Sequence, residues 1–245
     1  MAFFESFDGT RIHYHVAGSG SPVILAHGFA TDAASTWPPS GIDLALVKAG
    51  FRSIMLDLRG HGQSGKPHEP SAYADDAEVK DIMALAEYLK LGRYDVLGYS
   101  HGAIIVARLL VLATNIRRAI LGGIGHLFTD PEWTRPKQIA AGLLAEDPKD
   151  PVSRGLVDYA KRNGGDLIAL AQVQLGQPTT LPAELARVQR PVMVLCGDQD
   201  QVNGSPQRLA RYIPDCRLSY VSGTHLKALN NPSFARAVVE FLGSS

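Results

Sequence analysis

The sequence predicts an α/β protein: a single domain, residues 1–245, built on a mostly parallel, eight-stranded sheet with helices on both faces. Three observations predict it. Six short apolar runs rich in branched residues recur along the chain, PVILAHG, FRSIMLDLRG, YDVLGYS, IRRAILGGI, RPVMVLCGD and CRLSYVSG, and such runs suit strands buried on both faces. The segments between several of them have helical periodicity, and repeated strand and helix alternation implies a parallel sheet covered on both sides. The 245 residues suffice for one large core, with no low-complexity or Gly/Ser-rich stretch to divide them.

The elements follow in order. FFESF and TRIHYHVAG, joined through Asp8-Gly9, read as a β-hairpin that adds two strands to the six. After FRSIMLDLRG the clearest helix is expected from about Ser71 to Leu91. Ser71 serves as N-cap, Asp75, Asp76 and Glu78 stand early, Val79, Ile82, Met83, Ala86 and Leu89 share one face, and Gly92 ends it. YDVLGYS is a strand and HGAIIVARLLVLAT a buried helix. Residues 129–177 break the alternation with two helical stretches, Lys137 to Leu144 and Gly155 to Leu175, and no good strand; they read as a small helical cap inserted between strands. RPVMVLCGD and CRLSYVSG supply the last strands, and PSFARAVVEFL the final helix.

Charge excludes several classes of partner. The 24 basic residues balance 24 acidic ones, with no run of five like charges, so neither a nucleic-acid footprint nor a basic membrane patch is present. MAFFESFDGT has no basic or apolar leader segment, and the longest apolar runs fall short of the roughly 18 residues of a membrane span. The expectation is a cytoplasmic monomer or small homo-oligomer acting on a small molecule. Cys196 and Cys216 fall near opposite ends of consecutive parallel strands, too far apart for a disulfide. No Cys/His spacing suits zinc, and no cofactor is implied.

One stretch carries chemistry. Gly98-Tyr99-Ser100-His101-Gly102 matches G-x-S-x-G at the turn from strand to buried helix, where the glycines let the two elements pass closely. The turn would expose the Ser100 hydroxyl at the C-terminal edge of the sheet, above a helix N-terminus that favours developing negative charge. A serine nucleophile needs a base, an acid to orient that base, and backbone donors for the oxyanion. His225 follows the last strand and is the best-placed base. His13 and His15 belong to the hairpin, His61 and His68 to a polar loop, and His101 enters the helix beside Ser100. His27 is expected to brace its loop by hydrogen bonding, and His126 to line the pocket. VLCGDQDQV offers Asp198 and Asp200 as the acid, one for His225 and the other for a turn. His101 N–H and Phe29 N–H, in AHGFAT, are the oxyanion donors.

These residues resemble the α/β-hydrolase fold, and within it the small cofactor-free serine esterases. LAHGFATD looks like the family's His-Gly oxyanion loop, LDLRGHGQSGKP like its Asp-x-Arg-Gly-x-Gly-x-Ser segment, LGYSHGA like its nucleophile elbow, VLCGDQDQV like its acid-bearing turn and SGTH like its histidine turn. The resemblance covers nearly the whole chain. By position it implies Ser100 as nucleophile, Asp200 as acid and His225 as base, while Asp57 and Arg59 are implied to be structural. It also implies that haloalkane dehalogenases and epoxide hydrolases carry aspartate where this chain carries Ser100, which disfavours those activities. His101 departs from the Met, Leu or Gln common at its position; it either tunes the pocket or packs beneath the insertion. Phe128, Trp133, Leu143 and His126 are candidates to line an apolar substrate pocket. The expected activity is hydrolysis of small to medium carboxylic esters through an acyl-enzyme. The alternatives are carbon-carbon bond hydrolysis, lactone opening or perhydrolysis with the same triad, and, from another class, a ligand receptor with slow turnover.

Overall fold

The computed structural model describes residues 2–148 and 150–244. Its eight strands are β1 (Ala2–Glu5), β2 (Arg11–Ala17), β3 (Ser21–Ala26), β4 (Phe51–Leu56), β5 (Tyr94–Tyr99), β6 (Ile116–Gly122), β7 (Val192–Gly197) and β8 (Cys216–Val221). They form one sheet in the order β1-β2-β4-β3-β5-β6-β7-β8. The hairpin β1/β2 is antiparallel and joins β4 antiparallel, whereas β3 to β8 run parallel. The direction of strand addition reverses between β3 and β5, a switch point where open α/β sheets form a crevice beyond the strand C-termini.

Period-two alternation divides each central strand between two cores. Ile24 and Ala26 of β3 and Val96 of β5 face one core, with Val79, Ile82 and Leu85; Val23, Leu25 and Leu97 face the other, with Trp37, Leu46, Phe234 and Val238. The first core is covered by α3 (Ala77–Tyr88) and α4 (His101–Leu112), the second by α1 (Ala33–Ser40), α2 (Ile42–Lys48) and α11 (Pro232–Gly243). In α11 the buried positions Phe234, Ala235, Val238, Phe241 and Leu242 follow the helical repeat, and burying each large apolar side chain contributes about 1.5–3 kcal/mol.

Between β6 and β7 come α5 (Arg135–Leu144), α6 (Pro151–Arg162), α7 (Leu167–Leu175) and α8 (Pro182–Leu185), and the chain closes through α9 (Pro206–Ala210) and α10 (His225–Leu229). Helices α5 to α7 share a small core of Ala140, Leu143, Val157, Ala160 and Leu170, which also takes Ala30 from the loop after β3.

Helix boundaries differ from expectation at three places. Helix α3 ends at Tyr88, with Lys90 in the left-handed region at φ 52°, rather than running to Leu91 and Gly92. The helix expected from Ser71 starts at Ala77, because Asp75 and Asp76 sit at φ 52° and 60° and left-handed residues cannot continue a right-handed helix. Residues Pro70–Tyr73 form only a 3-10 turn, and the Asp76 carboxylate accepts from Arg108 Nε on α4 at 3.0 and 3.1 Å. The stretch from Gly155 to Leu175 is two helices: Gly164 takes φ 68°, and Asp166 starts the second helix by accepting from Ala169 N–H at 3.0 Å. Cys196 and Cys216 sit four positions apart along the β7/β8 pairing, and both are free thiols. Among the described residues no helix is long and apolar enough to cross a membrane.

Candidate active site

The site forms where β3, β5, β7 and β8 end. Ser100 is the single residue between β5 and α4 and holds φ 54°, ψ −116°. A Cβ at Gly98 would collide with the Gly102 carbonyl, and one at Gly102 with the Ala26 and His27 carbonyls. Only glycine permits this crossing of β5, β3 and α4.

The chain Ser100–His225–Asp200 is continuous. His225 Nε2 lies 3.0 Å from Ser100 Oγ, and His225 Nδ1 lies 2.7 Å from Asp200 Oδ2. Nδ1–H therefore donates to the carboxylate, and the Nε2 lone pair accepts from the serine hydroxyl. Asp200 Oδ1 accepts from Val202 N–H at 3.1 Å. Burial alone would raise the Asp200 carboxyl, but the hydrogen bond and charge of His225, with the Val202 amide, hold it below its ordinary 3.8. Asp198 serves the turn instead, accepting from Gly223 N–H at 2.9 Å. Tyr99 hydroxyl donates to the His225 carbonyl, and its ring packs 5.5 Å from the imidazole.

Phe29 follows β3 and His101 opens α4, and neither backbone N–H donates to another group among the described residues. Unpaired amides are inherent to the first turn of a helix. His27 fixes the loop from the other side: its Nδ1–H donates to Gly28 carbonyl at 2.8 Å, and its Nε2 accepts from Leu58 N–H at 3.0 Å.

The His101 side chain is almost fully buried. Its Nε2–H lies 3.0 Å from both Glu78 oxygens, and Nδ1–H faces Gln177 Oε1 at 3.4 Å. Burial lowers its affinity for a proton, yet two acceptors and the Glu78 charge more than offset this and raise its pKa. A buried Glu78–His101 contact thus underlies the residue next to Ser100, a partnership invisible in sequence because Glu78 lies 23 residues away.

Asp57 and Arg59 hold neighbouring loops. Asp57 accepts from Ala33 N–H at 2.9 Å, Gln63 N–H at 2.8 Å and His13 Nδ1–H at 2.9 Å. Arg59, completely buried, donates through Nε and Nη2 to Asp81 at 2.7 and 2.6 Å, and through Nη1 to Asp8 at 2.9 Å. His61, expected in a polar loop, is buried, with its ring 5.8 Å from Phe29 and 6.2 Å from His101.

A cavity of about 1020 Å³ opens over Ser100 and His225, floored by Gly28, Phe29, Tyr99 and His101. Of the expected pocket residues, Trp133 lines it, whereas Phe128, Leu143 and His126 do not. Phe128 sits in the tight turn after β6 and points into the main core at 1% exposure. Leu143 is used up by the core shared among α5, α6 and α7. His126 turns toward α9, accepting from Ser205 N–H at 3.0 Å and meeting Arg208 Nη1 at 3.2 Å. Residues the sequence reading passed over complete the wall. Gly155, Leu156, Tyr159 and Arg162 share one face of α6, Arg135 and Ile139 one face of α5, and Gln174 and Gln177 follow on and after α7. Helical spacing was the available signal for the α5 and α6 sets.

The sequence model of the alpha/beta hydrolase fold family matches residues 21–157. A non-heme haloperoxidase of Rhodococcus erythropolis is 28% identical over 240 positions, covering 82% of this chain and 83% of its own. A bifunctional epoxide hydrolase of Sus scrofa is 30% identical over 113 residues, covering 46% of this chain and 20% of its own. Among solved structures, a hydrolase from Pseudomonas aeruginosa PA01 superposes with a TM-score of 0.83 at 27% identity, covering 99% of this chain and 98% of that one. With more than half of its length matched to the family, and with a sheet and elbow of this topology, the chain belongs to the α/β-hydrolase fold family.

Proposed function

We propose that this protein is a serine hydrolase that cleaves small to medium carboxylic esters through an acyl-enzyme. The observation that carries the reading is the unbroken hydrogen-bond chain from Ser100 Oγ through His225 to Asp200, at 3.0 and 2.7 Å, beneath an open cavity. His225 Nε2 takes the proton as Ser100 Oγ attacks the ester carbonyl, and the Phe29 and His101 amides receive the oxyanion. The alkoxide leaves with the proton from His225. Water then attacks the acyl-enzyme, gives its proton to His225 and releases the carboxylic acid, and the proton returns to Ser100. Asp200 holds the imidazole in the required tautomer throughout.

The test is hydrolysis of p-nitrophenyl acetate, butyrate and octanoate by wild type and Ser100→Ala, with fluorophosphonate labelling followed by intact mass. One adduct on wild type, none on Ser100→Ala, and a rate loss of about 10³-fold or more are expected. Equal turnover by the variant would refute the assignment. A second reading is favoured by the haloperoxidase relative, whose match spans most of both chains. Hydrogen peroxide in place of water would convert the same acyl-enzyme to a peracid and free Ser100. Peroxide-dependent bromide oxidation that requires both Ser100 and an added carboxylic ester would distinguish it.

A further inference from the structure

The cavity wall is electrostatically one-sided. Arg135 and Arg162 line it, and no Asp or Glu side chain does so among the described residues. Composition does not explain this, since acidic and basic residues are equal in number at 24 each. The Asp200 and Glu78 carboxylates do not line the cavity and are already engaged, Asp200 by His225 and Glu78 by His101.

Neither arginine has a carboxylate within ion-pair distance among the described residues. Arg162 ends α6 on the face that also presents Leu156 and Tyr159 to the cavity. Arg135 is the first residue of α5, where the helix dipole disfavours a cation, so helix stability does not account for it. Its Nη1–H donates to Val202 carbonyl at 2.7 Å, two residues beyond Asp200. That bond holds the guanidinium beside the catalytic loop, and its other N–H donors have no partner among the described residues, a fork suited to a carboxylate.

We propose that the site takes esters whose acyl or alcohol part carries a second, free carboxylate, held by Arg162 and Arg135 while the ester lies at Ser100. This substrate class rests on the acyl-transfer reading above. Apolar side chains such as Trp133, Ile139 and Leu156 would cover the body of the molecule, leaving the charge as the distinguishing contact.

Two matched pairs of probes test it: 4-acetoxybenzoate against its methyl ester for the alcohol side, and monomethyl glutarate against methyl valerate for the acyl side. In at least one pair kcat/KM should favour the carboxylate by about tenfold, and the preference should shrink as salt rises from about 0.05 to 0.5 M. Arg162→Gln and Arg135→Gln should each lower that ratio about tenfold. The ratio is insensitive to a general loosening of the Val202 loop, which would slow both members of a pair together. Preference for the neutral member in both pairs, with ratios unmoved by either variant, overturns the proposal and leaves the hydrolase reading intact. Absence of all turnover and of fluorophosphonate labelling overturns the acyl-transfer reading instead. The proposal is then decided by calorimetric binding of the intact probes to Ser100→Ala: tighter binding of the carboxylates supports it, and equal or weaker binding overturns it.

Discussion

At Ser100 the backbone holds φ 54°, ψ −116°, a region that costs a non-glycine residue about 1–3 kcal/mol. Ser100 N–H donates to Gly122 carbonyl at 2.8 Å and its carbonyl accepts from Ala103 and Ile104, so the strain is borne by strand and helix together and the hydroxyl is left facing the imidazole. The neighbouring acids differ in what they hold. Asp200→Asn places an amide where the His225 tautomer needs a carboxylate and should reduce kcat on the order of 10³- to 10⁴-fold. Asp198→Asn keeps an oxygen to accept from Gly223 N–H and should stay within about tenfold of wild type; steady-state kinetics on the two purified variants read the contrast, and the opposite ranking would exchange their roles. Ser100, Asp200 and His225 were legible in sequence because each lies in a short turn motif at a strand end. Phe128, Leu143 and His126 misled because direction, not residue type, decides whether a side chain meets a cavity or a core, and direction depends on neighbours far along the chain.

At the scale of elements the elbow is a close crossing of β5, α4 and β3. A methyl at Gly102 would meet the carbonyls of Ala26 and His27, both backbone and neither free to rotate away. Gly102→Ala should therefore force α4 from the sheet and cost about 3 kcal/mol. Urea unfolding measures it, and a wild-type midpoint would mean that the crossing relaxes at little cost. The strands were readable because apolar runs buried on both faces leave a local signature. Helix ends were not: Asp75 and Asp76 suit a first helical turn by composition, yet the bond from Arg108 Nε to Asp76 accompanies a left-handed backbone there.

Across the whole molecule, burial and charge set a pH dependence for stability. His27 and His61 are fully buried. Burial first, and for His61 the charges of His27 and His101 next, hold both below the ordinary imidazole value of 6.5. The unfolded chain binds these protons as pH falls through 6.5 while the native state does not, so each destabilises the fold on acidification. His101 has the opposite sign: its raised pKa contributes stability that is complete below 6.5 and lost as pH rises through its folded value. In urea titrations at pH 6.5 and 5.5, His61→Asn should lose about 1 kcal/mol less over that interval than wild type. Equal losses would mean that native His61 takes up the proton. The sequence by itself determined the parallel sheet, the elbow and the order of the three site residues, because strand burial and tight turns are written in residues adjacent along the chain. Only the tertiary structure decided that Glu78 underlies His101, that α5 to α7 bury Leu143 in a small core shared with Ala30, and that Arg135 and Arg162 face a cavity lined by no carboxylate among the described residues, because each depends on which surfaces of distant segments meet.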